Sequence, residues 1–194
     1  MATPRSQRIG IWIITVVMAI GAVGVYFVTI IANNNNSEKS AKYQAALTAY
    51  QQEVGAQTKE LSDKYYSEFS SYSSKVSAFD KAPAQAQLVT EDLKAGDGEA
   101  ITDTTKFAAY YIGWNPDGKI FDQSIVNGTL KAPLSLSTGL ASSGLIQGWK
   151  DGMIGMKIGG VRLLTIPSAQ AYSTSGKGSD IPPDTPIKFI VMAI

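Results

Sequence analysis

The stretch GLIQGWKDGMIGMKIGGVRLLTIP, residues 144–167, decides the fold that the sequence predicts. Its first part predicts a short helix that opens with Ser142 and Ser143 as caps. The apolar residues of this helix fall on one side: Leu145, Ile146, Trp149 and Met153. Its last part, residues 161–166, predicts a β-strand. A single short helix beside a strand is typical of an α+β domain.

Three further β-like runs lie around this stretch, at residues 106–114, 130–136 and 187–194. Turn signals separate the runs: Gly96-Asp97-Gly98, Asn115-Pro116-Asp117-Gly118, Asn127-Gly128 and Pro182-Pro183-Asp184. We therefore expect a mostly antiparallel sheet with one helix across it, in a domain that occupies residues 83–194.

Composition excludes several kinds of chemistry. The chain of 194 residues contains no histidine and no cysteine, which excludes a Ser-His-Asp triad, a cysteine nucleophile, disulfides and any Cys/His metal site. Lys+Arg 17 against Asp+Glu 16 gives a net charge of +1, and no segment carries the basic stripe that nucleic-acid binding needs. Any site must therefore use carboxylates, hydroxyls, amines, backbone amides or an apolar pocket, and we expect neither a metal nor a cofactor.

An uncharged apolar run occupies residues 9–32 near the N-terminus. At ~1.5 Å per residue, a helix of this length reaches ~36 Å and can cross a ~30 Å hydrocarbon core. Arg5 and Arg8 precede the run, and the next basic residue is Lys39. The positive-inside rule then places residues 1–8 in the cytoplasm and the rest outside. A cleaved signal peptide is the alternative, but its apolar region is usually only ~7–15 residues long. We expect a single-pass protein of the cell membrane.

The next segment, residues 33–82, predicts a helical stalk. After a polar hinge it contains one glycine and no proline. Its apolar and aromatic positions recur at threes and fours: Leu47, Tyr50, Val54, Leu61, Tyr65, Phe69, Tyr72, Val76 and Phe79. This stripe fits a coiled coil with a stutter, which would pair two copies of the chain as a homodimer. It equally fits a single helix, or a hairpin, that lies against the following domain, and both alternatives stay open.

The quoted stretch, followed by Ala171-Tyr172 and Ile181-Pro182-Pro183, closely resembles the FK506-binding-protein (FKBP) family of peptidyl-prolyl cis-trans isomerases. The segments Tyr111-Ile-Gly113 and Asp117-Gly118-Lys-Ile-Phe121-Asp122-Gln-Ser124 resemble the same family. The resemblance covers about residues 86–194 in one collinear order. It implies an antiparallel sheet curled around one short helix, here in a membrane-anchored, bacterial-like form.

The resemblance also implies a role for each matching residue. Trp149 would form the floor beneath the prolyl ring, with walls from Tyr111, Phe121, Leu145, Ile146 and Phe189. The Ile146 N–H and the Tyr172 hydroxyl would donate hydrogen bonds to ligand carbonyls, and Asp122 would orient the Tyr111 hydroxyl. Leu134 and Ile181 complete the expected binding residues. The sequence departs from the family pattern at three positions on the rim and walls: Leu134, Ser173 and Asp180.

Such a pocket needs neither a nucleophile nor an acid–base pair. The X–Pro barrier of ~18–20 kcal/mol arises from amide resonance, and an apolar cavity that favours the twisted amide lowers it. We expect isomerisation of X–Pro bonds in proteins that fold outside the cytoplasmic membrane. The expected partners are proline-containing segments, with FK506- or rapamycin-like macrolides as ligands. The alternative is a non-catalytic FKBP-like chaperone that holds such segments in the same pocket.

Overall fold

The structure is a computed structural model that describes residues 37–194, with side chains from residue 44 onward. The predicted membrane-spanning segment, residues 9–32, lies outside the described residues. Between residues 37 and 194, none of the helices combines the length and apolar character that a membrane crossing requires.

The described part of the chain contains helices α1 (Ser37–Ser71), α2 (Lys81–Ala84) and α3 (Gln147–Met153). Its strands are β1 (Val89–Lys94), β2 (Phe107–Trp114), β3 (Ile120–Gln123), β4 (Ile125–Val126), β5 (Thr129–Leu130), β6 (Leu134–Leu136), β7 (Val161–Ile166) and β8 (Ile187–Ala193). Short 3-10 turns occupy Tyr72–Lys75, Ser168–Gln170 and Ser173–Ser175.

An antiparallel sheet in the order β1-β7-β8-β2-β3 forms the centre of the domain. Strand β6 joins the same sheet by pairing with the start of β2, on the edge where β3 pairs with its end. Strands β4 and β5 form a separate hairpin across Asn127 and Gly128, whose φ angles of 50° and 75° suit a type I′ turn. The predicted antiparallel sheet is confirmed.

Individual strands differ from the prediction at four places. The predicted run at residues 130–136 is two strands, β5 and β6, because Pro133 between them has no N–H to donate to a ladder. Strands β1, β3 and β4 were not predicted. The residues of β1 are mostly exposed and include Glu91 and Asp92, so β1 lacks the apolar pattern of a buried strand.

The sheet is covered on both faces. Helix α3 lies on one face, where the buried core includes Trp149, Met153, Leu164 and Phe189. The C-terminal half of α1 lies on the other face, over a second buried cluster: Tyr110, Ile112, Trp114, Ile190 and Met192. Strand β2 is consequently buried at every position except Tyr111, which is half-buried.

The apolar stripe of the predicted stalk makes this second contact. Leu61 is 8% exposed and Phe69 is fully buried, and the rings of Tyr65 and Phe69 lie 6.2 and 6.0 Å from that of Tyr110. Of the two alternatives that the sequence left open, the structure shows the segment lying against the following domain, with Leu61, Tyr65 and Phe69 on α1 and with Val76 and Phe79 beyond its end. A coiled coil between two copies cannot use side chains that the sheet already covers.

The α-helix of this segment ends at Ser71, not at residue 82 as predicted. Beyond the 3-10 turn, the backbone bonds to the sheet instead of to itself. The Trp114 Nε1–H donates to the Ser77 carbonyl at 3.0 Å, and the Phe79 N–H donates to the Pro116 carbonyl at 2.9 Å. These bonds replace the intrahelical ones, and Phe79 packs against the second buried cluster on the sheet.

Helix α3 begins later than predicted, and the predicted caps are wrong. The Ser143 N–H and hydroxyl both donate to the Leu140 carbonyl, at 3.1 and 2.7 Å, and so close a turn before the helix. Ile146 has the extended ψ of 151° of an N-cap, without a side-chain cap, and the helix starts at Gln147. Leu145 and Ile146 therefore lie in the approach to the helix.

Two glycines let α3 lie close to β7. A Cβ on Gly148 would overlap the Ile166 side chain, and a Cβ on Gly152 would come within 2.8 Å of Leu164 Cδ2. This close approach places Trp149, between the two glycines, against the sheet, where it is 3% exposed.

Candidate functional site

Four aromatic rings meet on the face of the sheet that α3 covers, and Phe189 of β8 lies at their centre. Its ring centroid is 5.4 Å from that of Trp149 and 5.5 Å from that of Phe121, with interplanar angles of 82° and 83°. Tyr111 completes the group at 5.7 Å from Trp149 and 6.2 Å from Phe189. These edge-to-face contacts orient the rings relative to one another, and we call this apolar cluster the aromatic cage.

Gly113 makes room for this cage. A Cβ at Gly113 would overlap the Phe189 ring and would lie 2.9 Å from the Phe121 ring. The absence of a side chain on β2 at this position lets Phe189 and Phe121 come together, and it explains why glycine follows Tyr111-Ile112 here.

Asp122 joins the cage through the Tyr111 hydroxyl, which donates to Asp122 Oδ2 at 2.8 Å. The register of β2 and β3, which pairs Gly113 with Asp122, brings the two side chains together. Burial raises the pKa of the Tyr111 hydroxyl, and the hydrogen bond to the Asp122 carboxylate raises it further. Tyr111 therefore keeps its proton at neutral pH and donates a hydrogen bond to Asp122 as a neutral hydroxyl.

A lysine that the sequence did not single out also reaches this pair. Lys131 Nζ lies 3.4 Å from both the Tyr111 hydroxyl and Asp122 Oδ1, and 5.2 Å from the centre of the Tyr111 ring. The Asn127-Gly128 turn returns the chain so that Lys131 meets Asp122. The signal in the sequence that could have identified Lys131 was its position shortly after the Asn127-Gly128 turn.

The structure brings all the other predicted site residues to the same core. Half-buried side chains pack against it: Leu134, Leu145, Ile146 and Tyr172. Ile181 is only 1% exposed, so it belongs to the core more than to the pocket surface. Among the described residues, no backbone carbonyl accepts a hydrogen bond from the Ile146 N–H, which leaves that donor available.

A loop over residues 173–180 borders the site. The Asp180 carboxylate binds Lys119 Nζ at 2.5 Å, and the Asp180 carbonyl accepts a hydrogen bond from Asn115 Nδ2 at 2.9 Å. The Lys119 ammonium holds the pKa of Asp180 below its usual value. Asp180 stands where the family pattern is apolar. Lys119, in the β2–β3 turn, neutralises the charge of this carboxylate.

A cleft of about 400 Å³ opens between this loop and β3. Its lining residues are Phe121, Asp122, Lys177, Gly178, Ser179, Asp180 and Ile181. Within residues 44–194, no group of three or more carboxylates is placed to hold a metal ion. The arrangement offers an apolar cage, neutral hydrogen-bond donors and a partly charged rim.

Known proteins match this part of the chain. A family model described as FKBP-type peptidyl-prolyl cis-trans isomerase matches residues 98–194. The "FK506-binding protein" of Neisseria meningitidis serogroup B is 38% identical over 104 residues, which are 54% of this chain and 91% of that protein.

Two further similarities extend beyond the matched domain. The "Probable FKBP-type peptidyl-prolyl cis-trans isomerase" of Haemophilus influenzae is 30% identical over 151 residues, which are 78% of this chain and 57% of that protein. A solved peptidyl-prolyl cis-trans isomerase from Pseudomonas syringae pv. tomato is 29% identical and superposes with a TM-score of 0.47, over 68% of this chain and 92% of that one.

The matched residues, 98–194, contain the aromatic cage, its Asp122 and the loop beside it. The resemblance drawn from the sequence motifs is therefore confirmed at the level of the family. This chain belongs to the FKBP-type peptidyl-prolyl cis-trans isomerases, and it is an isomerase of that type.

Proposed function

We propose that the chain isomerises X–Pro bonds by binding the prolyl ring over Trp149, within the cage of Tyr111, Phe121 and Phe189. The observation that carries this proposal is the edge-to-face packing of these rings around Phe189. Such a cage accepts an apolar ring and excludes water from the adjoining amide. FK506- or rapamycin-like macrolides would occupy the same cage.

Catalysis then comes from binding the twisted amide more tightly than the planar one. A planar amide carbonyl loses its hydrogen bonds to water in the cage, whereas a twisted amide has less charge on its oxygen and loses less. The Ile146 N–H and the Tyr172 hydroxyl would bind carbonyls of the substrate and hold the chain on either side of the bond. Acceleration to millisecond turnover would require roughly 5–7 kcal/mol of such differential binding.

An isomerisation assay on the full chain in detergent tests this site. Asp122→Ala removes the acceptor of the Tyr111 hydroxyl, so it should lower kcat more than it raises KM if that pair shapes the twisted-amide site. Asp117→Ala, in the β2–β3 turn, is the matched control and should leave both constants unchanged. Wild-type constants in Asp122→Ala would place the reacting amide elsewhere.

We further propose that the isomerase domain acts outside the cytoplasmic membrane, held there by the apolar segment at residues 9–32. This proposal rests on the length of that segment and on Arg5 and Arg8 before it. Protease added to intact spheroplasts should digest the domain while a cytoplasmic marker stays intact. Protection of the domain under conditions that digest an outward-facing marker would reverse the topology.

Pairing of two copies through α1 stays a proposal for the part of the helix before Leu61. The positions that could pair there are Leu47, Tyr50 and Val54, none of which is fully buried. If they pair, the wild-type chain should sediment as a dimer in detergent and the double variant Leu47→Lys, Val54→Lys as a monomer. Equal masses for the two proteins would contradict the pairing.

A further inference from the structure

The charges around the cleft are not balanced. Lys119 is bound to Asp180 at 2.5 Å, and Lys131 lies 3.4 Å from Asp122. Lys177 also lines the cleft, but within residues 44–194 no carboxylate lies close enough to form an ion pair with it. Each of the two aspartates that line the cleft is thus paired with a lysine beside it, and Lys177 is the one charged lining residue without such a pair.

Contacts with the loop and with Tyr172 hold Lys177 at this position. Its backbone N–H donates to the Ile181 carbonyl at 2.7 Å, and its Nζ lies 5.0 Å from the centre of the Tyr172 ring. The same ammonium donates to the Tyr172 hydroxyl oxygen at 3.3 Å. Because that oxygen accepts from Lys177, its own hydrogen is left to donate to another group.

The neighbouring glycine lets the loop backbone pass close to Ile181. Gly176 has a φ of +62°, and a Cβ there would overlap the Ile181 carbonyl oxygen. Only glycine adopts this conformation without strain and without a clash, so the close approach of the backbone to Ile181 just before Lys177 depends on Gly176. The ammonium is thus exposed to solvent but anchored beside the hydroxyl that would bind the substrate backbone.

We propose that Lys177 determines specificity, giving the isomerase a preference for segments with an acidic residue next to the proline. The inference rests on the proposed function of the cage, because it needs the substrate backbone at Tyr172. A carboxylate placed there gains an ion pair with Lys177 and breaks none of the existing pairs. Asp122 and Asp180, the carboxylates that face the cleft, are each beside a lysine and do not repel it.

The size of the preference follows from the exposure of Lys177. A single exposed ion pair changes an equilibrium by roughly two- to fivefold, and salt screens it. We therefore expect the ratio of kcat/KM for a peptide with Glu before proline to that for the Gln peptide to be roughly two to five. The ratio should fall towards one as ionic strength rises.

The experiment follows cis–trans exchange of the two peptides by NMR with the full chain in detergent, so that no coupling protease imposes its own preference. Lys177→Met should bring the Glu/Gln ratio to about one, and Lys177→Arg should keep it above one. Lys157→Met, which removes an exposed lysine away from the cleft, should keep the wild-type ratio. An equal ratio in wild type and Lys177→Met overturns the inference while the proposed function stands. Failure of the wild type to accelerate exchange of the Gln peptide overturns the proposed function and this inference together.

Discussion

The Ser62 hydroxyl of α1 accepts a hydrogen bond of 2.9 Å from the Leu130 N–H, at the end of the hairpin that follows Asp122. Both residues are buried, at 5% and 2% exposure. Lys131, the next residue, lies beside Tyr111 and Asp122. The helix that the sequence predicts as a separate stalk therefore braces one wall of the site.

Ser62→Ala should weaken both the fold and the site. It leaves the buried Leu130 N–H without an acceptor, which costs about 1–3 kcal/mol. It also frees the hairpin that carries Lys131, so kcat/KM should fall even where the protein is fully folded. Urea unfolding and the isomerisation assay measure the two effects, and Ser67→Ala on the exposed side of α1 is the control. Loss of stability with unchanged kcat/KM would limit Ser62 to a structural role.

A fragment of residues 83–194 should not behave as the intact domain. It lacks Leu61, Tyr65 and Phe69, and so exposes the apolar sheet face around Tyr110. We expect a lower midpoint of urea unfolding than for residues 37–194, with binding of a hydrophobic dye or self-association. Equal midpoints for the two fragments would show that the domain does not need α1.

Tyr110→Phe should stabilise the protein. The Tyr110 side chain is fully buried between α1 and the sheet, and within the described residues its hydroxyl has no hydrogen-bond partner. Removal of an unsatisfied buried hydroxyl relieves its desolvation cost, so the free energy of unfolding should rise by about 1 kcal/mol. Tyr66→Phe is the comparison, because Tyr66 is a half-buried tyrosine of α1 that packs against the same cluster. A decrease for Tyr110→Phe would mean that the hydroxyl is satisfied in solution.

Trp149→Ala and Tyr172→Phe should affect the protein differently. The first removes a buried aromatic ring between α3 and Phe189, so it should cost ~3–5 kcal/mol of stability as well as ligand affinity. The second removes one hydroxyl and no apolar volume, so it should leave stability almost unchanged and weaken macrolide binding by ~0.5–1.5 kcal/mol. Thermal unfolding and calorimetric titration measure these effects. If neither variant changed macrolide affinity, the assignment of Trp149 and Tyr172 to the binding pocket would be wrong.

The pH dependence of stability should reveal the ion pair of Asp92 with Arg162. Arg162 Nε binds Asp92 at 2.6 Å, and this hydrogen bond holds the pKa of Asp92 below its usual value. A carboxyl with a lowered native pKa stabilises the fold above its unfolded pKa of about 4, and the contribution is lost as pH falls through the native pKa. Wild type should therefore exceed Asp92→Asn in stability at neutral pH by at most about 1 kcal/mol, because Asp92 is half exposed. A difference that does not shrink in acid would exclude the carboxylate as its source.

Local patterns predicted much of the fold. The strand at residues 161–166 has the predicted bounds, and the turn at Asn115 to Gly118 is closed by a hydrogen bond of 3.0 Å from the Gly118 N–H. The start of α3 was predicted less well, because Ser143 can cap a helix or close a turn with equal ease. The turn forms because Ser143 donates to the carbonyl of Leu140, and the position of Leu140 depends on tertiary packing, since its side chain is fully buried.

The amino-acid sequence by itself determined the excluded chemistries and the sheet with one short helix, because these depend on residue identity and on spacing over a few positions. The residues of the aromatic cage followed from the resemblance of the sequence motifs to the FKBP family. Only the tertiary structure decided that the stripe on α1 covers the far face of the sheet, and that Lys131 and Lys177 lie at the site. The reason is physical: a stripe with helical spacing specifies that a face is buried, but not what buries it. A flexible lysine likewise acquires its role only from the groups that folding places around its ammonium, such as Tyr111 and Asp122 for Lys131.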